Sequence, residues 1–220
     1  MSSAPSTTSG IPVHDPFPTA VEWWDALGRV PFERIVFDPL PCTATEQDVV
    51  RLNDHEDRLC ELIDGTLVEK TYGFDESVLE VRIAYLLMNH VIARKLGIVT
   101  GAGGPMRLFA GRVRIPDVAF VSFDRLPNRK SPGVPIPDLA PDLAVEVLSD
   151  RNTRREMENK LQEYFKAGTK LVWYVDFKTR SVEVYTSPAN ITRLSGGDVL
   201  GGGNVLPGFE VVVSTLFEIA

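Results

Sequence analysis

Cysteine and histidine, the side chains that most often build metal centres in cytoplasmic proteins, are scarce here: two and three among 220 residues. Cys42 and Cys60 show no CxxC spacing, so neither a zinc site nor a disulfide framework has support, and a reducing, cytoplasmic setting is the expectation. His14, His55 and His90 belong to no nucleophile motif such as GxSxG, which leaves a serine-histidine hydrolase without a basis. Long apolar runs are missing too. None approaches the ~20 residues of a membrane span, so no membrane partner is expected. The opening "MSSAPSTTSGIPVHDPFPTA" lacks the basic and apolar regions of a secretory signal and reads as a disordered tail. Nor is there a basic excess. Lys and Arg number 23 against 30 Asp and Glu, for a net charge of −7. That argues against a protein built to coat nucleic acid, but not against an enzyme that meets it on one face.

What is present is a foldable chain, 44% hydrophobic and 24% charged, the size of one domain with an appendage. Residues 1–43 are Pro-rich and are expected to form a partly disordered N-terminal extension with one short helix at "AVEWWDALG". Residues 44–220 are expected to form the folded domain. "TATEQDVVRLND" suits a helix with Thr45 as N-cap and Asp48 three residues on. "RLCELIDGTLVEK" is two strand-like runs joined by Asp64-Gly65, a hairpin signal. A helical stripe of Leu79, Ile83, Leu86, Leu87 and His90 follows, with Gly97 as the predicted stop. Strands are predicted near "IVT" and "MRLF", along "RVRIPDVAFVS" and at 143–148. The Pro/Gly-rich stretch 123–141 reads as a loop. "NTRREMENKLQEYFKAG" has the Thr153/Glu156 capping box and Gly168 at its end. Two strands in "KLVWYVDFKTRSVEVYT", two more short ones and a helical "STLFEI" complete an α/β (α+β) pattern with a mixed sheet.

Three charged residues interrupt apolar patterns. In "PDLAVEVLSD", Glu146 sits mid-strand between Leu143, Ala144, Val145, Val147 and Leu148. An ionised carboxylate in a covered strand is costly unless it is paired or metal-bound. Asp117 does the same in "RVRIPDVAFVS", where it is predicted to share a face with Ile115 and Ala119, beside Pro116, which removes a ladder donor. Two carboxylates on neighbouring strands can converge on a hard cation such as Mg²⁺. Lys160 flanks the Met157, Leu161, Tyr164, Phe165 stripe of the next helix. It either snorkels to water or reaches the end of the Glu146 strand. Glu61, in "LCELIDG", is either a hairpin-edge carboxylate or a fourth member. The basic runs Arg107, Arg112, Arg114; Arg125, Arg129, Lys130; and Arg151, Arg154, Arg155 are either solvated surface or phosphate contacts.

In order along residues 44–220, "CELIDGTLVE", "RIPDVAFV", "PDLAVEVLSD", "ENKLQEYFKAGTKLVWYVD", "VEVYT" and "VLPGFEVVVSTLF" resemble the Uma-type restriction endonuclease family of the PD-(D/E)XK nuclease superfamily. The resemblance implies a restriction-endonuclease-like mixed β-sheet flanked by helices and a metal-dependent endonuclease acting on DNA. It implies Asp117 and Glu146 as ligands of Mg²⁺ or Mn²⁺, Glu61 completing the metal shell, and Lys160 as the catalytic lysine. The lysine usual two residues after the acidic member is replaced by Leu148, and related families carry it on the following helix. An inactive binding or accessory protein on the same fold is the alternative. Double-strand cutting would favour a homodimer.

Overall fold

The computed structural model describes residues 19–55 and 58–218. The expected disordered stretch at 1–18, His14 included, lies outside the described residues. The helix predicted at "AVEWWDALG" is α1 (Ala20–Ala26), capped by the Thr19 side chain. The next, α2 (Glu46–His55), begins where the Asp48 carboxylate accepts from both the Thr45 N–H and its hydroxyl at 2.8 Å.

The hairpin β1 (Cys60–Ile63) and β2 (Thr66–Glu69) turns on Asp64 and Gly65, with φ of 46° and 75°. Two left-handed central residues are what a type I′ turn demands. The turn sets a register in which Glu61 faces Val68. The helix α3 (Phe74–Arg94) then leads into β3 (Gly97–Gly101). Its left-handed cap is Lys95, not the predicted Gly97. Gly97 instead opens the strand, where a Cβ would meet the Val121 carbonyl at 2.0 Å.

After β4 (Met106–Phe109), the predicted strand "RVRIPDVAFVS" is broken in two: β5 (Arg112–Arg114) and β6 (Val118–Ser122). The break holds Pro116, which has no N–H to donate to a ladder, and it lets the chain change sheets. On one side lies a four-stranded sheet, β2-β1-β5-β4. On the other, β7 (Leu143–Leu148), β8 (Leu171–Asp176), β9 (Ser181–Ser187) and β10 (Asn190–Ser195) join β6 and β3 in the order β10-β9-β8-β7-β6-β3. In this sheet β7 and β8 are parallel, linked by α4 (Arg154–Lys166); the other pairs are antiparallel. Where two short strands were expected near the C-terminus there are three: β10, and the pair β11 (Val199–Gly201) and β12 (Glu210–Val212), before α5 (Val213–Leu216). The mixed sheet with flanking helices is the architecture expected, and β7 is interior and covered on both faces.

One face of the six-stranded sheet packs Val145, Val147 and Trp173 against Leu79, Ile83, Leu87 and Val91 of α3. The other packs Ala144 and Tyr174 against Met157, Leu161 and Tyr164 of α4. Beside that apolar stripe, α4 carries a second at the same i, i+4, i+7 spacing, Glu156, Lys160 and Glu163. All three are buried, and each pairs with the four-stranded sheet or the segment ahead of it: Glu156 with Arg34, Lys160 with Glu61, Glu163 with Arg114. Two stripes one residue apart point about 100° apart around a helix. So α4 meets the four-stranded sheet by charge and the six-stranded sheet mainly by apolar contact, with Lys160 also reaching Glu146 on β7.

The segment before α2 packs on this unit. Trp23 donates to Thr66 Oγ1 at 3.1 Å and Trp24 to the Val30 carbonyl at 2.8 Å. Both rings lie against Leu27, Val30, Ile35, Ile63 and Val68. Arg34 grips Glu156 through two bonds of 2.8 and 2.9 Å, the planar fork that guanidinium offers a carboxylate.

Candidate active site

Continuing the β6–β7 register Val118↔Val145 one step places Asp117 opposite Glu146. The Asp117 N–H donates to the Val145 carbonyl at 3.1 Å, and the Asp117 Oδ2 accepts from the Val147 N–H at 2.6 Å. Opposed residues of an antiparallel pair project to one face, here the face that α4 covers. Both carboxylates are buried, at 4% and 3% exposure.

Two lysines meet them. Lys160 Nζ lies 3.1 Å from Glu146 Oε2 and 3.1 Å from Glu61 Oε1, so α4 turns it inward and it does not snorkel. Lys70, which follows β2, places its Nζ 2.5 Å from Asp117 Oδ1 and 3.9 Å from Glu146 Oε2, and donates to the Ile115 carbonyl. Sequence reasoning missed Lys70. Its signal was the hairpin register: Val68 faces Glu61, and Lys70, two residues on, shares that face. Arg114 reads in the sequence only as a member of a basic run. The β1–β5 register sets it opposite Glu61, and it donates to Glu61 at 2.7 Å and to Glu163 at 2.7 Å. Tyr164 completes the group, donating to Glu146 Oε1 at 2.5 Å.

The electrostatics follow from burial and neighbours. Burial alone would raise the Glu61 pKa, but Lys160, Arg114 and Lys70 bring it well below the usual carboxylate range. Burial raises Glu146, and the lysines only partly offset it. Burial alone would lower both lysines; facing carboxylates outweigh it and raise them. Glu80, half-buried on α3, is pushed up to about 8 by desolvation and by the Asp117 charge.

Asp117 and Glu146 supply hard oxygens, the right kind for Mg²⁺. Their 2.5 and 3.9 Å distances to one nitrogen keep them well inside the ~8 Å beyond which a single ion with ~2 Å ligand distances could not join them. Two carboxylates so placed could share one divalent cation, but here the Lys70 ammonium stands at the point of convergence, and all four oxygens accept from Lys70, the Val147 N–H, Lys160 and Tyr164. Among the described residues, no three His, Cys, Asp or Glu side chains gather as a metal cluster. Glu61, expected in the metal shell, accepts from Arg114, Lys160 and the Ile115 N–H, and through Lys160 it is joined to Glu146. A cavity of about 720 Å³ opens nearby, lined by Ser149, Asn152, Arg154, Asp176 and Tyr185 among others. None of Glu61, Lys70, Asp117, Glu146 and Lys160 lines it, so the charged cluster and this hollow are separate features.

The basic runs divide. Arg112 and Arg114 are internal ion-pair partners, Arg107 pairs with Glu46 and Arg125 with Asp142. Arg151, Arg154 and Arg155 are exposed at the start of α4.

A six-stranded mixed sheet whose parallel pair β7–β8 is linked by α4, with opposed acids and inward lysines under that helix, is a mixed α/β fold. The chain belongs to the Uma2 family, described as "Putative restriction endonuclease", whose model matches residues 46–215. Among solved structures it is similar to a "putative nuclease belonging to DUF820" from Anabaena variabilis ATCC 29413. The TM-score is 0.65 at 17% identity, covering 73% of this chain and 90% of that one, a likeness of fold. No curated protein matches the chain. No helix among the described residues is long and apolar enough to cross a membrane.

Proposed function

We propose that this protein is a metal-dependent endonuclease that hydrolyses phosphodiester bonds in DNA, with Asp117 and Glu146 holding Mg²⁺ or Mn²⁺. The observation that supports this is the convergence of two opposed, buried carboxylates on one cationic nitrogen. When bound, such an ion polarises a phosphoryl oxygen and lowers the pKa of a bound water. The protein's own groups do the rest. The Val147 N–H orients Asp117, and Tyr164 and Lys160 orient Glu146. Glu61, itself held by Arg114, keeps Lys160 charged and in place. Lys70 is the most exposed of the five acids and lysines in the cluster, at 8%; with Asp117 and Glu146 holding a cation, its ammonium would face the substrate phosphate, where a fixed positive charge stabilises the developing negative one. Arg151, Arg154 and Arg155 contact backbone phosphates without reading sequence.

Purified full-length protein is expected to nick supercoiled plasmid with Mg²⁺ or Mn²⁺, and Asp117→Ala and Glu146→Ala are expected to abolish nicking while keeping the native circular dichroism spectrum. Intact DNA with the wild-type protein, on duplex and single-stranded substrates and with both metals, would sink the proposal. One observation favours a second reading, a non-catalytic accessory protein: Glu61, Asp117 and Glu146 are already balanced by Lys70, Arg114 and Lys160. Under that reading neither metal binds.

A further inference from the structure

The helix α3 has two apolar faces. One, through Leu79, Ile83, Leu87 and Val91, is buried in the core. The other is exposed: Phe74 (84%), Val78, Val81 (68%), Tyr85 (64%), Met88 and Ile92 (66%). Soluble monomers rarely leave so long an apolar row in water. The spacing is 4, 3, 4, 3, 4, the alternation of a coiled-coil seam, and it runs about 27 Å along the helix at ~1.5 Å per residue. No charged residue interrupts it.

We infer that this row is a two-fold interface between two copies of this chain, with their α3 helices packed antiparallel. The spacing reads the same in both directions about residue 83. Antiparallel pairing therefore sets Phe74 against the second copy's Ile92, Val78 against its Met88, and Val81 against its Tyr85. Each layer matches a larger side chain with a smaller or more flexible one. The same contacts occur twice, as an isologous interface requires. Charge selects the direction. Asp75 and Glu76 lie in the first turn, Arg94 in the last and Lys95 at the cap; Asp75, Arg94 and Lys95 are exposed. Antiparallel packing brings the acidic end of each helix beside the basic end of the other, and opposes the helix dipoles. Parallel packing would set acid on acid and base on base.

Sedimentation equilibrium of the full-length chain tests this. The wild type is expected to be a dimer. Val81→Glu and Tyr85→Lys, both at exposed positions, are each expected to weaken dimerisation at least a hundredfold while leaving the melting curve of the monomer cooperative. An equimolar mixture of the two variants is expected to dimerise again, because the carboxylate introduced at position 81 of one copy then faces the ammonium introduced at position 85 of the other. A monomeric wild type overturns the inference, as does a dimer indifferent to both variants, or a mixture that stays monomeric. A chain that dimerises only after residues 1–18 are removed overturns it too, since its own N-terminus would then cover the row.

Discussion

Replacing Lys160 by Met removes a cation but keeps an unbranched stem of similar length. Its side chain is 2% exposed, and its ammonium lies 3.1 Å from each of Glu61 and Glu146. At an effective dielectric constant near 20, each such pair attracts by roughly 5 kcal/mol, and the desolvation of the ions offsets much of that. Deleting one partner leaves the others buried and uncompensated, which costs about 3–5 kcal/mol, a large part of the ~5–15 kcal/mol that holds a domain together. In a chain of this size that is a fall in Tm on the order of 10 °C. The cost falls mainly on Glu146, since Glu61 keeps Arg114. The Glu146 pKa is already raised by burial, and loss of Lys160 raises it further. A carboxyl whose folded pKa exceeds its unfolded one loses stability as pH rises from the unfolded value through the folded one. The penalty of Lys160→Met should therefore be smaller at pH 5 than at pH 8, and Glu146→Gln in the same chain should recover more than half of it at pH 8. Urea denaturation at the two pH values measures all three. A loss below ~1 kcal/mol at both, or a double variant no more stable than the single, would refute the buried-pair reasoning.

Lys70→Met should tighten Mg²⁺ or Mn²⁺ binding by calorimetry, because the competing ammonium is gone, while plasmid nicking falls; weaker metal binding would contradict the placement of Lys70. Glu80 has a folded pKa of about 8, above its unfolded value, so its ionisation destabilises the fold as pH rises from about 4.5 to 8. Glu80→Gln should accordingly flatten the stability loss between pH 5 and 9, and an unchanged slope would count against it. Gly28 has φ of 82°, and a Cβ there would lie 2.4 Å from the Glu156 Cα. Gly28→Ala should thus cost about 2 kcal/mol or more and open residues 19–43 to limited proteolysis, and wild-type resistance would show that the segment's seat on α4 is not needed.

Much of the site was legible in local patterns. Glu146 and Asp117 stood out because a charge in an apolar strand is costly, and the Thr153/Glu156 box marked the start of α4, which α4 keeps. The hairpin turn at Asp64-Gly65 held more than was drawn from it. Its two-residue length sets Glu61 opposite Val68, and so puts Lys70 on the Glu61 face. Other features depend on long-range packing, which no window of sequence contains. Pro116 suggested a bend, but the change from one sheet to the other depends on what β5 and β6 each pair with. That Glu156, Lys160 and Glu163 form one buried stripe of α4 is visible only once a second sheet is known to cover it. On α3, one apolar stripe was enough to account for burial, and the opposite row went unread.

Leu148 stands where the resemblance to the PD-(D/E)XK nucleases would put a lysine. It lies beyond Glu146 on β7 and joins the apolar group around Tyr174 and Tyr185. A lysine there would extend from the strand, two residues or about 7 Å from Glu146, and could fold back toward it. Two ammonium groups already come to Glu146 from elsewhere, one from α4 and one from the end of β2. With Arg114 they match the charges of Glu61, Asp117 and Glu146. Leu148 is itself only partly buried and lines the wall of the cavity, but a lysine there that turned toward Glu146 would bring a fourth cation to three buried carboxylates, where an unpaired charge is costly. Leu148 leaves undisturbed the balance that Lys70, Lys160 and Arg114 set with the three acids. Leu148→Lys should destabilise the fold, and combining it with Lys160→Met should recover part of that loss, since one ammonium can then replace the other.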